Sequence, residues 1–125
     1  MECLNLQDNI TYGVKVIRPV PRYLDSAKYE ADIILEILRA DTNNESKIVN
    51  MLEYFYFEEK RKNYIALVFE KLGKSLYEFI KENDYKGFSI EDVQEMTRQI
   101  LEGMAFINER LKIVHTDLKV DKSLL

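Results

Sequence analysis

With 125 residues, of which 46% are hydrophobic, the chain has enough apolar side chains for one ordinary domain with a buried core, which excludes intrinsic disorder as a description. Its 18 lysines and arginines stand against 22 aspartates and glutamates, a net charge of -4 that offers no broad basic field for phosphate backbones and so excludes direct nucleic-acid binding as an expectation. The single cysteine, Cys3, has no internal disulfide partner and no zinc-type pair is present, so a reducing compartment is the simplest reading.

The N-terminal residues Met1 to Asp8 lack the basic start and apolar run of a signal peptide. No run of about 18 apolar residues occurs anywhere, and a soluble, intracellular chain is expected. Tyr12-Gly13-Val14-Lys15-Val16-Ile17 is rich in β-branched residues and is predicted to be a strand ending near Arg18, closed by Pro19 and Pro21, which supply no backbone donor. From Tyr23 to Leu38, Ala27, Ala31, Ile34 and Leu38 recur at helical spacing until Asp41-Thr42-Asn43-Asn44 breaks the pattern. Ile48 to Phe57 and Asn63 to Phe69 then read as paired antiparallel strands, joined by the charged Glu58-Glu59-Lys60-Arg61-Lys62.

Gly73 interrupts the chain, and Ser75 followed by Glu78 forms a capping-box pattern that opens a short helix through about Asn83. Ser89 and Asp92 repeat the device. Ile90, Val93, Ile100, Leu101, Met104, Ile107 and Leu111 then mark a helix of about six turns. A loop carrying Val114-His115-Thr116-Asp117-Leu118-Lys119 follows. The order predicts an α+β fold whose composition shifts near Gly73 from strands to helices.

The first helix carries two glutamates, Glu30 and Glu36. At about 100° per residue, Glu30 lies about 40° from Ile34 on the apolar face and Glu36 about 200° away, so Glu30 faces inward and Glu36 faces water. Gly13 shares the strand face of Lys15 and adds no side chain to it.

These residues, in this order, resemble a protein kinase of the LAMMER (Clk-type) family. Tyr12-Gly13-Val14-Lys15 is similar to the family's V-A-x-K, and Arg22 to Glu30 is similar to its R-Y-x-x-A-A-x-x-E run. Val68-Phe69-Glu70-Lys71-Leu72-Gly73-Lys74-Ser75 resembles its hinge, V-F-E-x-L-G-x-S. His115-Thr116-Asp117-Leu118-Lys119 carries the most specific signal, since Thr before the catalytic aspartate marks the LAMMER and SR-protein kinases.

The resemblance implies a kinase-like fold, with most of the small lobe (antiparallel strands plus one helix) at 1–70 without the glycine-rich loop, a hinge at 71–74, and the start of the large lobe at 75–125. It implies that Lys15, held by Glu30, contacts the α- and β-phosphates of ATP, and that Gly13, the gatekeeper Phe69 and the backbone of Glu70 and Leu72 surround adenine. Asp117 would take or orient the proton of a Ser, Thr or Tyr hydroxyl, Lys119 would neutralise charge on the transferred group, and His115 would be structural. Thr116 carries no cation, so no phosphorylated activation loop would be read there.

ATP and magnesium are the cofactors expected of the family, yet Val120-Asp121-Lys122 stands where Pro-Glu-Asn is usual, so no metal-ligand residue is assigned. The D-F-G aspartate and the E-H-L-A-M-M-E-R signature are not in these residues either. Arg/Ser-rich proteins are the implied substrates and the nucleus the implied location, with the cytoplasm left open. The chain alone is expected not to be competent. The alternatives are a non-catalytic kinase-like interaction module and a truncated gene product. Self-association through the exposed helix 90–111 is expected, because the helices that would cover its apolar stripe are not in the sequence.

Overall fold

The computed structural model describes residues 1–119 and is α+β. Two compact units form: Met1–Thr42 with Val49–Lys71, and Asn43–Ile48 with the described residues from Leu72 onwards.

In the first unit, β1 (Glu2–Leu4), β2 (Thr11–Ile17), β3 (Met51–Glu59) and β4 (Lys62–Phe69) make an antiparallel sheet in the order β1-β2-β4-β3. Helix α1 (Pro21–Ala40) lies against β2, β3 and β4. Its buried Ala27 and Ala31 join Met51, Ile65 and Leu67 in the core, with Ile34 and Leu38 packed at the edge. Alanine at the closest points lets the helix approach the sheet, while the longer aliphatics fill the flanks. The helix begins at Pro21, two residues ahead of the Tyr23 suggested by periodicity. Proline is suited to the first turn because its missing N–H would have no intrahelical partner there.

The β3–β4 connection is tighter than the run of five charges suggested. Glu59 still pairs with Lys62, and only Lys60 and Arg61 turn the chain, with φ of 52° and 60°. Two left-handed residues give the twist a two-residue hairpin requires, so strand pairing overrides the polarity of the segment. Strand β3 also starts at Met51 rather than Ile48, because Asn43–Ile48 packs in the second unit.

In that second unit, α2 (Leu76–Glu82) opens with the full capping box: the Ser75 hydroxyl accepts from Glu78 N–H, and the Glu78 carboxylate accepts from Ser75 N–H. Helix α3 (Ile90–Ala105) opens with half of it, Ser89 Oγ accepting from Asp92 N–H at 3.1 Å. The shorter aspartate meets the Ser89 hydroxyl instead. A π-helical turn, Phe106–Arg110, continues α3.

The expected apolar stripe is divided. Ile90, Val93 and Leu101 are exposed, whereas Phe106 and Ile107 are buried, which corrects the expectation of a stripe exposed along its whole length. The physical reason lies partly in Gly103. A Cβ there would stand 2.3 Å from the Ser46 carbonyl oxygen, so the missing side chain lets the 43–48 segment lie against the helix. Arg110 strengthens the same region, pairing with Glu45 at 2.8 Å and stacking over the Phe106 ring at 4.9 Å.

Candidate functional site

Lys15 sits on β2 opposite Leu67, and alternation turns its side chain to the α1 side of the sheet. Its ammonium donates to both carboxylate oxygens of Glu30, at 2.6 and 2.7 Å. The two side chains keep 49% and 41% of their surface exposed, so the ammonium remains within reach of a further anion. Glu36 is exposed. The two residues meet because α1 packs its Ala27 and Ala31 face on the sheet, and Glu30 lies one residue short of that seam.

Gly13 pairs with Phe69 across β2 and β4 and lies two residues before Lys15 on the same face. A Cβ built on Gly13 would meet the Glu70 carbonyl oxygen at 3.5 Å and that of Phe69 at 3.9 Å, both ordinary contacts. Phe69 is half-buried against the core cluster. Glu70 is tied to Asn50 twice: its N–H donates to the Asn50 carbonyl at 3.1 Å, and its carboxylate accepts from Asn50 N–H at 2.8 Å. This clasp holds the end of β4, and no sequence pattern announces it, since the partners are 20 residues apart.

The second unit carries the remaining predicted residues. Leu72 is half-buried. Asp117 is exposed; its N–H donates to His115 Nδ1 at 3.2 Å, and its carboxylate lies 3.9 Å from Lys119 Nζ. The histidine thus shapes the loop as an acceptor, which assigns its proton to Nε2. A lysine at this distance adds positive charge beside the carboxylate without a tight pair. Also in this unit, Arg98 bridges Glu95 and Glu102, and hydrogen bonds from Arg98 and Gln99 hold the Glu95 carboxyl down at about 2. The spacings of three and four make that network legible in the sequence.

The first unit offers an accessible ammonium oriented by a carboxylate, a strand position with no side chain, and a neighbouring backbone carbonyl. Among the described residues there is no group of three or more His, Cys, Asp or Glu side chains arranged to hold a metal, and Lys122 lies outside the described residues. Among the described residues, too, no helix is long and apolar enough to cross a membrane.

The protein kinase domain family matches residues 1–125. The chain is 37% identical over 125 residues to the serine/threonine-protein kinase AFC1 of Arabidopsis thaliana, an alignment spanning 100% of this chain and 26% of that protein. It is 34% identical over 125 residues to the human dual specificity protein kinase CLK4, spanning 99% of this chain and 25% of that one. A crystal structure of a kinase domain superposes with a TM-score of 0.84 at 37% identity, covering 99% of this chain and 35% of the solved one. The chain therefore spans about a quarter of the length of these curated relatives.

Proposed function

Because this chain belongs to the protein kinase domain family and resembles its LAMMER and Clk-type members, we propose that it contributes the nucleotide-holding and base residues of a dual-specificity (Ser/Thr and Tyr) protein kinase. The observation that carries this reading is the two-pronged contact of Lys15 with Glu30, an arrangement that keeps an ammonium oriented yet accessible. The family generally uses ATP and magnesium. ATP, when bound, supplies the phosphoryl group that is transferred.

In this reading Lys15 neutralises the α- and β-phosphates, and Gly13, Phe69 and the backbone of Glu70 and Leu72 surround the purine. Asp117 accepts the proton as the substrate hydroxyl oxygen bonds to phosphorus and the bond to the departing ADP breaks. Lys119 offsets the charge that develops on the transferred group. The hinge is assigned to 71–74, between a small-lobe portion at 1–70 and the start of the large lobe at 75–125. Arg/Ser-rich proteins as substrates and a nuclear location follow from the LAMMER resemblance. The 125 residues alone are proposed not to transfer phosphate, since neither the magnesium-holding residues nor the glycine-rich cover is among them.

Binding of a fluorescent ATP analogue to the chain, compared with Lys15→Met, tests the reading. Saturable binding that the substitution weakens at least tenfold supports it; equal binding by both, or none by either, overturns it. Exposed Ile90 and Leu101 favour the interaction-module alternative, in which a bound protein partner persists in Lys15→Met and is lost in Leu101→Lys.

A further inference from the structure

Strand β3 stands at an edge of the sheet, whose order is β1-β2-β4-β3, so it is paired on one side only. The two-residue turn at Lys60 and Arg61 makes Glu59 and Lys62 a hydrogen-bonded pair, and bonded and non-bonded pairs then alternate along the ladder. Phe55 and Phe57 therefore direct their backbone groups at β4, whereas Tyr54, Tyr56 and Glu58 direct theirs outward. Among the described residues, no backbone partner outside the sheet takes up these outward groups. A row of unpaired N–H and C=O groups is a template for another strand, and edges are usually closed to it by proline, lysine or a bulge. Between Glu53 and Glu59 there is no proline and no lysine, and the register is unbroken, its shift lying before Glu53.

The side chains specify what kind of strand fits. Tyr54 packs against the core under α1, so Glu53, Phe55, Phe57 and Glu59 share the opposite face, in the order acid, aromatic, aromatic, acid. Phe55 is 44% exposed, and its ring lies 6.1 Å from that of Phe57. Glu59 meets only the exposed Lys60, at 3.7 Å, and Glu53 pairs with no lysine or arginine among the described residues. A second copy of the chain does not suit this edge. In the fully overlapped antiparallel register Tyr56 faces itself and Glu53 faces Glu59 at both ends, and like charges directly opposite repel. We propose that the β3 edge takes up an extended segment of another protein whose side chains alternate basic, apolar, apolar, basic on one face. Its lysines or arginines meet Glu53 and Glu59, its apolar residues cover Phe55 and Phe57, and its backbone pairs with Tyr54, Tyr56 and Glu58. The pattern reads the same in both chain directions, and the surface is independent of the nucleotide reading.

The test uses the whole 125-residue chain, isotope-labelled for NMR, and two peptides: acetyl-Lys-Thr-Val-Thr-Val-Thr-Lys-amide and its charge-reversed form, acetyl-Glu-Thr-Val-Thr-Val-Thr-Glu-amide. The lysine peptide is expected to bind about tenfold more tightly than the glutamate peptide, because two facing pairs change from attraction to repulsion. Amide exchange at Tyr54, Tyr56 and Glu58 should slow on binding, while Phe55 and Phe57, already bonded to β4, should change little. Glu53→Lys combined with Glu59→Lys is expected to reverse the preference, and Glu53→Gln combined with Glu59→Gln to abolish it. Binding of neither peptide by wild type at millimolar concentration overturns the proposal. Equal binding of both overturns it too, as does binding that leaves exchange at Tyr54, Tyr56 and Glu58 unaltered. Slower exchange at those three amides when the chain alone is concentrated also overturns it, since a second copy then covers the edge. Where the double lysine variant does not fold, the glutamine pair decides: a preference that survives neutralisation of both acids overturns the proposal.

Discussion

Lys15 and Glu30, 15 residues apart, meet through two hydrogen bonds of 2.6 and 2.7 Å while each stays about half exposed. An ion pair this exposed contributes only about 0–1 kcal/mol to folding, because water screens the charges. Its orientation, not its energy, is what the fold preserves. Lys15→Met and Glu30→Gln are therefore expected to lower stability by less than about 1 kcal/mol in urea denaturation, yet both should weaken ATP binding. Glu36→Gln, on the exposed face, should change neither. A loss of ATP binding in Glu36→Gln equal to that in Glu30→Gln would show that helix charge, not the pair, matters.

Gly103 reverses the usual rule for helix glycines. Alanine in place of an interior glycine ordinarily stabilises a helix by about 1 kcal/mol. Here the added Cβ would stand 2.3 Å from the Ser46 carbonyl oxygen, a backbone atom, so either the helix or the 43–48 segment must shift. Overpacking of this kind costs about 1–3 kcal/mol, and the balance favours a net loss. Thermal denaturation of Gly103→Ala should show a lower midpoint, with faster hydrogen exchange at residues 43–48. A raised midpoint would mean that the segment yields without cost.

The α2 capping box has a pH signature. Hydrogen bonds from the Ser75 backbone and hydroxyl, with Lys74 nearby, hold the Glu78 carboxyl below its ordinary value of 4.5. A carboxyl lowered by folding contributes stability that is fully present above its unfolded value and is lost as pH falls through the folded one. The stability gap between wild type and Glu78→Gln should therefore be widest near neutral pH and close under acid. Ser75→Ala, which removes the cap itself, should cost about 1 kcal/mol at neutral pH. A gap that stays constant from pH 7 to pH 3 would count against the cap as its source.

The divided stripe of α3 predicts two classes of substitution. Leu101, 62% exposed, and Ile90, 63% exposed, should account for any self-association or binding of a hydrophobic dye. Leu101→Lys should reduce both without lowering the unfolding midpoint. Ile107, 4% exposed, should not tolerate lysine, because an unpaired charge would be buried. Sedimentation and dye fluorescence decide the first class, circular dichroism the second. A wild-type chain that remains monomeric at tens of micromolar and binds no dye would remove the argument for an interaction face.

Local chemistry was legible in the amino-acid order wherever a pattern repeats within a few residues. Helical spacing of Ala27, Ala31 and Ile34 marks both α1 and its inward face, and so places Glu30 inward and Glu36 outward. Ser75 with Glu78 announced its cap for the same reason: partners three residues apart in a helix must meet. Alternation along β2 likewise put Gly13 and Lys15 on one face. Tertiary packing decided the rest. The Asn50–Glu70 clasp joins residues with no periodic relation, and the passage of 43–48 into the second unit depends on a bare Cα at Gly103. The two-residue turn at Lys60–Arg61 arose because the pairing of β3 with β4 outweighs the preference of charged residues for an open loop. Which part of the α3 stripe is buried was decided in the same way, since periodicity defines a helix face but not what lies against it.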